Sequence, residues 1–337
     1  MEKQEAPRLR KRLGDSRWGM IQRLSIEVGH STVIGVEQYL AGSMVKEGVM
    51  INQELTASLE RLATTIIDLS DAKLETPWHW KGHDEGVRFA LFVTLLELRQ
   101  LTVKLATERA AGLKLPPVNN AQRILAQYHS AFMDLQASIA GLSPKKATQL
   151  PSKKEWSVQL VYAHILNAEL TFTAVIRYAL ENHRAGRWLP VSIPEKEYPR
   201  LYKMKEKAFS QLMKSSLKNM VAYHREFHTK ILYEFAGINN EELSLPATFW
   251  EETRFHIGYR LHRFEAHSRQ HTIQIDKTLN LIGCGPTEAR RIVRMLYSAL
   301  AELNGNLIAP LEKKNQESIE LARTIDSRAK DLSKLIK

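Results

Sequence analysis

Two histidines, His267 and His271, stand four residues apart in FEAHSRQHTIQIDKTL, a stretch with neither proline nor glycine. On a helix, side chains at i and i+4 lie one turn apart on one face, so both imidazoles can reach a single ion. His164, in WSVQLVYAHILNAEL, belongs to what should be a facing helix. Three imidazoles around a zinc or nickel ion leave positions open for water or substrate, as a catalytic metal site requires. The chain has 12 histidines, and that many in a helical protein also produce such a pair by chance.

The same segment carries a longer stripe. His256, Arg260, Arg263, His267 and His271 recur at three- and four-residue steps, on one face of a helix. With a metal at the lower end, Arg260 and Arg263 could grip the anionic part of a substrate, because a planar guanidinium meets a carboxylate or phosphate at two points. Pairing with Glu251, Glu252 or Glu265 at the surface explains them equally well. His224 and His228 share the ligand spacing in AYHREFHTK, but Lys218, Arg225 and Lys230 around them suggest a partly exposed face. His79 and His83, in PWHWKGHDEG, read as exposed loop histidines, because Gly82 lies between them. Cys284, before Gly285-Pro286, lacks the helix N-terminus or basic partner that would activate a thiol. No dinucleotide fingerprint, Walker loop, nucleophile elbow, HExxH or paired CxxC is present.

These residues must be positioned by helices. Apolar residues at 55, 59, 62, 66 and 69 step by three and four, and the same rhythm marks 89–105, 124–139, 158–180, 209–235, 255–281 and 292–307. A more polar helix is expected over 316–335. Proline-bearing breaks at 115–117, 150–151, 193–199, 245–246, 285–286 and 310 let the chain reverse, so antiparallel packing follows. With 16 glycines and 12 prolines in 337 residues, the chain is too poor in turn-formers for an all-β design. The stretches ending at Pro116 and Pro190 read either as a faint repeat, with Ala90 where the later copy has His164, or as a coincidence between two amphipathic helices.

The pattern around the histidines resembles the DinB-like superfamily, which includes bacillithiol and mycothiol S-transferases. Trp156, His164-Ile165 and Glu169 match a Trp-led helix with His-Ile and a following Glu; His267-x-x-x-His271-x-x-Gln274-Ile275 matches the fourth bundle helix. The resemblance covers about 118–283. It implies an all-α, antiparallel up-down four-helix bundle with His164, His267 and His271 as metal ligands, Trp156 as an anchor and Gln274 as a brace. Around it, 1–20 reads as a basic N-terminus. Residues 21–117 form a helical region, and 284–337 a helical pair packing on that region as a second, degenerate bundle.

The function so implied is a divalent-metal-dependent thiol S-transferase or hydrolase. The metal, zinc or nickel, would lower the pKa of a water or low-molecular-weight thiol for attack on a small electrophile. A non-catalytic structural or sensor bundle is the alternative, and predicts a fourth protein ligand such as Glu169. A formal charge of +11 raises nucleic-acid binding as a third reading, but the basic residues are spread without an aromatic-interleaved stripe. A homodimer is compatible with the charged last helix. One cysteine, no apolar run of signal-peptide length and none of membrane-spanning length give the expectation of a cytoplasmic protein without membrane association.

Overall fold

The computed structural model describes residues 52–113, 116–190, 192–249, 254–308 and 315–336. The expected basic N-terminus, residues 21–51, Glu251, Glu252 and Pro310 lie outside them. Helices dominate: α1 (Gln53–Ile66), α2 (Val87–Ala110), α3 (Asn120–Ile139), α4 (Val158–Arg184), α5 (Leu217–Phe235), α6 (Ile257–Leu281), α7 (Glu288–Gly305) and α8 (Gln316–Leu335), with short helical turns between them. Most long helices open on a side-chain cap. Asn52, Asn119, Ser157, Ser216, Thr287 and Asn315 each accept a hydrogen bond from a first-turn N–H, which stabilises each start by about 1 kcal/mol.

Ser216 also corrects an expectation. The apolar rhythm over 209–235 suggests one helix, whereas the chain forms Glu206–Met213, breaks, and restarts at α5. The Ser216 side chain accepts from the Asn219 N–H, a bond available only at a helix start.

The bundle that holds the candidate site is α3, α4, α5 and α6. Helix α6 packs on α3 and α4, and α5 packs on the same two. Tyr128, Ile165, Leu166, Phe264 and Ile275 fill its interior. The fold is all-α: the strands among the described residues are two short hairpins, Pro77–Trp80 with His83–Gly86 and Pro246–Ala247 with Phe255–His256. The first places His79 and His83 on strands rather than in a loop. Lys81 and Gly82 turn it with positive φ, a conformation glycine adopts without steric cost.

The other four helices pair in the same way. Where α6 meets α3 and α4, α2 meets α7 and α8; where α5 meets α4 and α3, α1 meets α8 and α7. The local details correspond. Helices α1 and α5 end at Ile66 and Phe235, whose carbonyls accept from Leu69 and Ile238. Ser70 and Asn239 then cap a short helix, and a hairpin follows from Pro77 and Pro246. Val87 N–H donates to Thr76 and Ile257 N–H to Leu245, starting α2 and α6. Helices α3 and α7 bury the same helical face, from Ala121 and Ala289 through Tyr128 and Leu296 to Gln136 and Asn304.

The internal repeat is therefore α1–α2 with α5–α6, and α7 with α3. It is not the pairing of α2 with α4 suggested by the two Leu-Pro endings, which are similar only because both close a long apolar helix. Helices α3 and α7 form the seam: Arg290 at the start of α7 bonds Ala140 O beyond the end of α3, and Arg294 grips Asp134.

Counting from the matched starts of α2 and α6, Glu97 and Leu101 occupy the places of His267 and His271. Glu97 takes two hydrogen bonds, 2.7 and 3.0 Å long, from the buried Arg328 of α8. An ion pair thus spans the helices where the first bundle has histidines. Glu97→Ala leaves that guanidinium buried without its charged partner, with the Thr94 hydroxyl as its remaining acceptor. Because Glu97 is itself partly exposed, the expected cost is about 2 kcal/mol rather than that of a fully buried pair. Thermal unfolding of the variant measures it.

Candidate metal centre

Helix α4 supplies His164 and helix α6 supplies His267 and His271. One nitrogen from each ring lies within 4.8 Å of the others. His164 Nε2 is 3.2 Å from His267 Nε2, and the His164 ring stands edge-on to that of His271 at 4.6 Å. His271 donates from Nδ1 to Gln274 Oε1 at 2.8 Å. That bond assigns the tautomer and leaves Nε2 with a lone pair for the cluster. Gln274 therefore occupies the bracing place the resemblance implies. Trp156 meets the His164 ring edge-on at 5.5 Å and closes the end of the site. Phe172 does the same for His267 at 5.6 Å.

Burial keeps all three rings neutral. His164 is lowered to about 4 by burial and then by His271; His267 is lowered to about 3 by burial, the two other rings and Arg263. His271 is lowered by burial, against the opposing bond to Gln274. Neutral imidazoles present lone pairs at neutral pH, which is the state a metal requires. The donor set is three nitrogens, with no carboxylate or thiolate in the cluster. It fits zinc or another divalent ion that accepts imidazole.

The two arginines part company. Arg263 lies 5.7 Å from the Phe172 ring, close enough to depress His267. Glu265, one of its expected partners, pairs with Arg269 instead. Arg260 is buried against the hairpin, with its guanidinium 5.0 Å from the Phe255 ring and Nη2 3.4 Å from Ala247 O. His256 caps α6 and bonds Ser244 O at 2.5 Å, outside the cluster. The stripe thus sets Arg263 beside the cluster and Arg260 against the hairpin.

Two further expectations are corrected. His224 and His228 are fully buried, not partly exposed. The charged residues beside them share the helix but not the face, and the α5 stripe of Met220, His224, Phe227, His228, Ile231 and Phe235 was available from periodicity. Glu169 is not a fourth ligand. It is buried away from the cluster, where Ser268 Oγ donates to Oε1 at 2.8 Å, and His224 Nε2 (2.7 Å) and the Tyr128 hydroxyl bond Oε2. His79 pairs with Asp84 on the exposed hairpin, far from this chemistry in sequence and character. A cavity of about 240 Å³ opens between α1, α3 and α5, lined by Glu60, Phe132, Gln136 and Arg225 among others. None of the three clustered histidines lines it.

A four-helix bundle with a three-histidine cluster between its second and fourth helices defines a class of metal-site bundle. Residues 127–275 match the family model described as the DinB superfamily. No curated protein and no solved structure matches the chain. No described helix is long and apolar enough to cross a membrane.

Proposed function

We propose that His164, His267 and His271 hold one divalent ion, zinc or nickel, and that the protein is a metal-dependent enzyme of the thiol S-transferase or hydrolase kind. The convergence of three neutral ring nitrogens from two helices carries this reading. A bound divalent ion supplies a Lewis acid that lowers the pKa of a water or low-molecular-weight thiol. The protein's own groups do the rest: Gln274 holds the His271 tautomer, Trp156 and Phe172 wall the site, and Arg263 orients the anionic part of a small electrophile. A purely structural metal would call for a fourth protein ligand, and Glu169, the nearest expectation for one, is engaged by three other donors.

Metal content by inductively coupled plasma mass spectrometry tests the assignment on untagged protein. The wild type should carry about one zinc or nickel per chain, and His164→Ala should lose it. Full metal content in His164→Ala would make the assignment wrong.

A further inference from the structure

Every other helix of the metal-site bundle sends a hydrogen bond to one side chain. Glu169, on α4, is fully buried; it receives Ser268 Oγ from α6, the Tyr128 hydroxyl from α3 and His224 Nε2 from α5. The bonds behind it run in one direction. Gln136 Nε2 donates to the Tyr162 hydroxyl at 3.0 Å, which bonds His224 Nδ1 at 3.0 Å, leaving Nε2–H for Glu169. Three donors on two oxygens suit a carboxylate, whose four lone-pair sites would be under-used by fewer.

Burying so many polar groups costs free energy unless all are satisfied, and an apolar core of the same shape folds as well or better. At three of these positions the molecule contains an apolar version. In the second bundle the matched positions are Leu55 for His224, Leu98 for Ser268 and Leu296 for Tyr128, all fully buried. The helices meet in the same pairs there, so the packing does not need the network. What the second bundle lacks is the histidine cluster, its places on α2 being taken by Glu97 and Leu101. The Glu169 network and the histidine cluster occur together in one bundle and are absent together from the other, where Arg328 instead bonds Glu97 and Thr94.

We infer that Glu169 is a positioning residue for the metal centre: through Ser268 it fixes α6 against α4, and so His267 and His271 against His164, and it provides the buried negative charge that balances a divalent ion held by neutral ligands. Ser268 follows His267 directly in the chain, so a shift of that helical turn moves the ligand. The inference rests on the metal reading proposed above.

Zinc affinity by chelator competition and the melting temperature of the metal-free protein, both on the full chain, separate the possibilities. Glu169→Gln keeps the shape and removes the charge. It should weaken zinc binding about ten- to a hundredfold, and shift the visible spectrum of the cobalt(II)-substituted protein, while the metal-free protein still unfolds cooperatively. Ser268→Ala, a milder change, should weaken zinc in the same direction, and Ser268→Thr should restore it. Glu97→Ala in the second bundle should lower the melting temperature without changing zinc affinity. Wild-type affinity in both Glu169→Gln and Ser268→Ala overturns the inference and leaves the metal reading standing. A wild type that binds no zinc or cobalt overturns both. Should Glu169→Gln fail to fold, the Ser268 pair decides by itself: loss with rescue supports positioning, and no loss sinks it.

Discussion

His267→Ala and His271→Ala should each weaken zinc binding on the order of a hundredfold to a thousandfold. Structural zinc sites with four ligands bind with about 10–16 kcal/mol, so one ligand accounts for roughly 3 to 4 kcal/mol. In this site the loss falls on a smaller set. With three nitrogens from two helices, removing either α6 ring leaves two ligands and an alanine methyl too short to reach the ion. The effect should be visible without any enzymatic assay. At free zinc about a hundredfold above the wild-type Kd, binding stabilises the folded state by about 2.7 kcal/mol. The wild type should melt at a higher temperature with zinc than with chelator, and the two variants should show at most about 0.4 kcal/mol of that stabilisation. His256→Ala, on the same stripe but bonded to Ser244 outside the cluster, should behave as the wild type. A zinc-dependent melting shift that survives in both α6 variants would remove these histidines from the site.

Much of the site was legible because its spacing is local. His267 and His271 fall on one face of a helix whatever that helix packs against, and Gln274, three residues on from His271, lies within reach of it for the same reason. His164 required the resemblance, since a contact across 103 residues of chain leaves no local trace. The long helices were equally readable from their apolar rhythm. The misreadings came where side chains rather than periods decide. The break before α5 turns on one serine capping a backbone N–H. His224 and His228 were misjudged from the charge of their neighbours, although their own positions, in step with Met220, Phe227 and Ile231, put them inside. The repeat was misassigned for a related reason. Long apolar helices resemble one another in sequence, whereas the equivalence of α1–α2 with α5–α6 is carried by caps, a hairpin and single backbone bonds.

Those buried histidines bear on a second large effect, the acid stability of the metal-free protein. His129 and His228 are bonded to each other at 2.9 Å inside the bundle. Burial lowers His129 to about 4; burial, then His129 and His224, lower His228 well below its ordinary value. An unfolded histidine takes up its proton near pH 6.5. Between that pH and about 4 the unfolded chain binds protons that the native state refuses, so stability is full above 6.5 and falls as the pH drops through this window. For His129 alone the change from 6.5 to about 4 amounts to about 3 kcal/mol, and His228, His164 and His267 add in the same direction. Glu242 and Asp326 are held below the usual carboxylate range by Arg184 and Arg61, so their contribution is lost only from the acid end of the histidine window downward. Set against a typical stability of about 5–15 kcal/mol, the histidine loss should bring acid unfolding above pH 4. Melting temperature measured in chelator from pH 7.5 to 4.5 should fall steeply below 6.5, with uptake of more than one proton on unfolding. His228→Leu, which copies Leu59 at the matched position of the second bundle, should flatten that slope by about one proton. A melting temperature constant between pH 7 and 5 would mean that these imidazoles are protonated in the folded state, and that the bundle interior is far wetter than its packing describes.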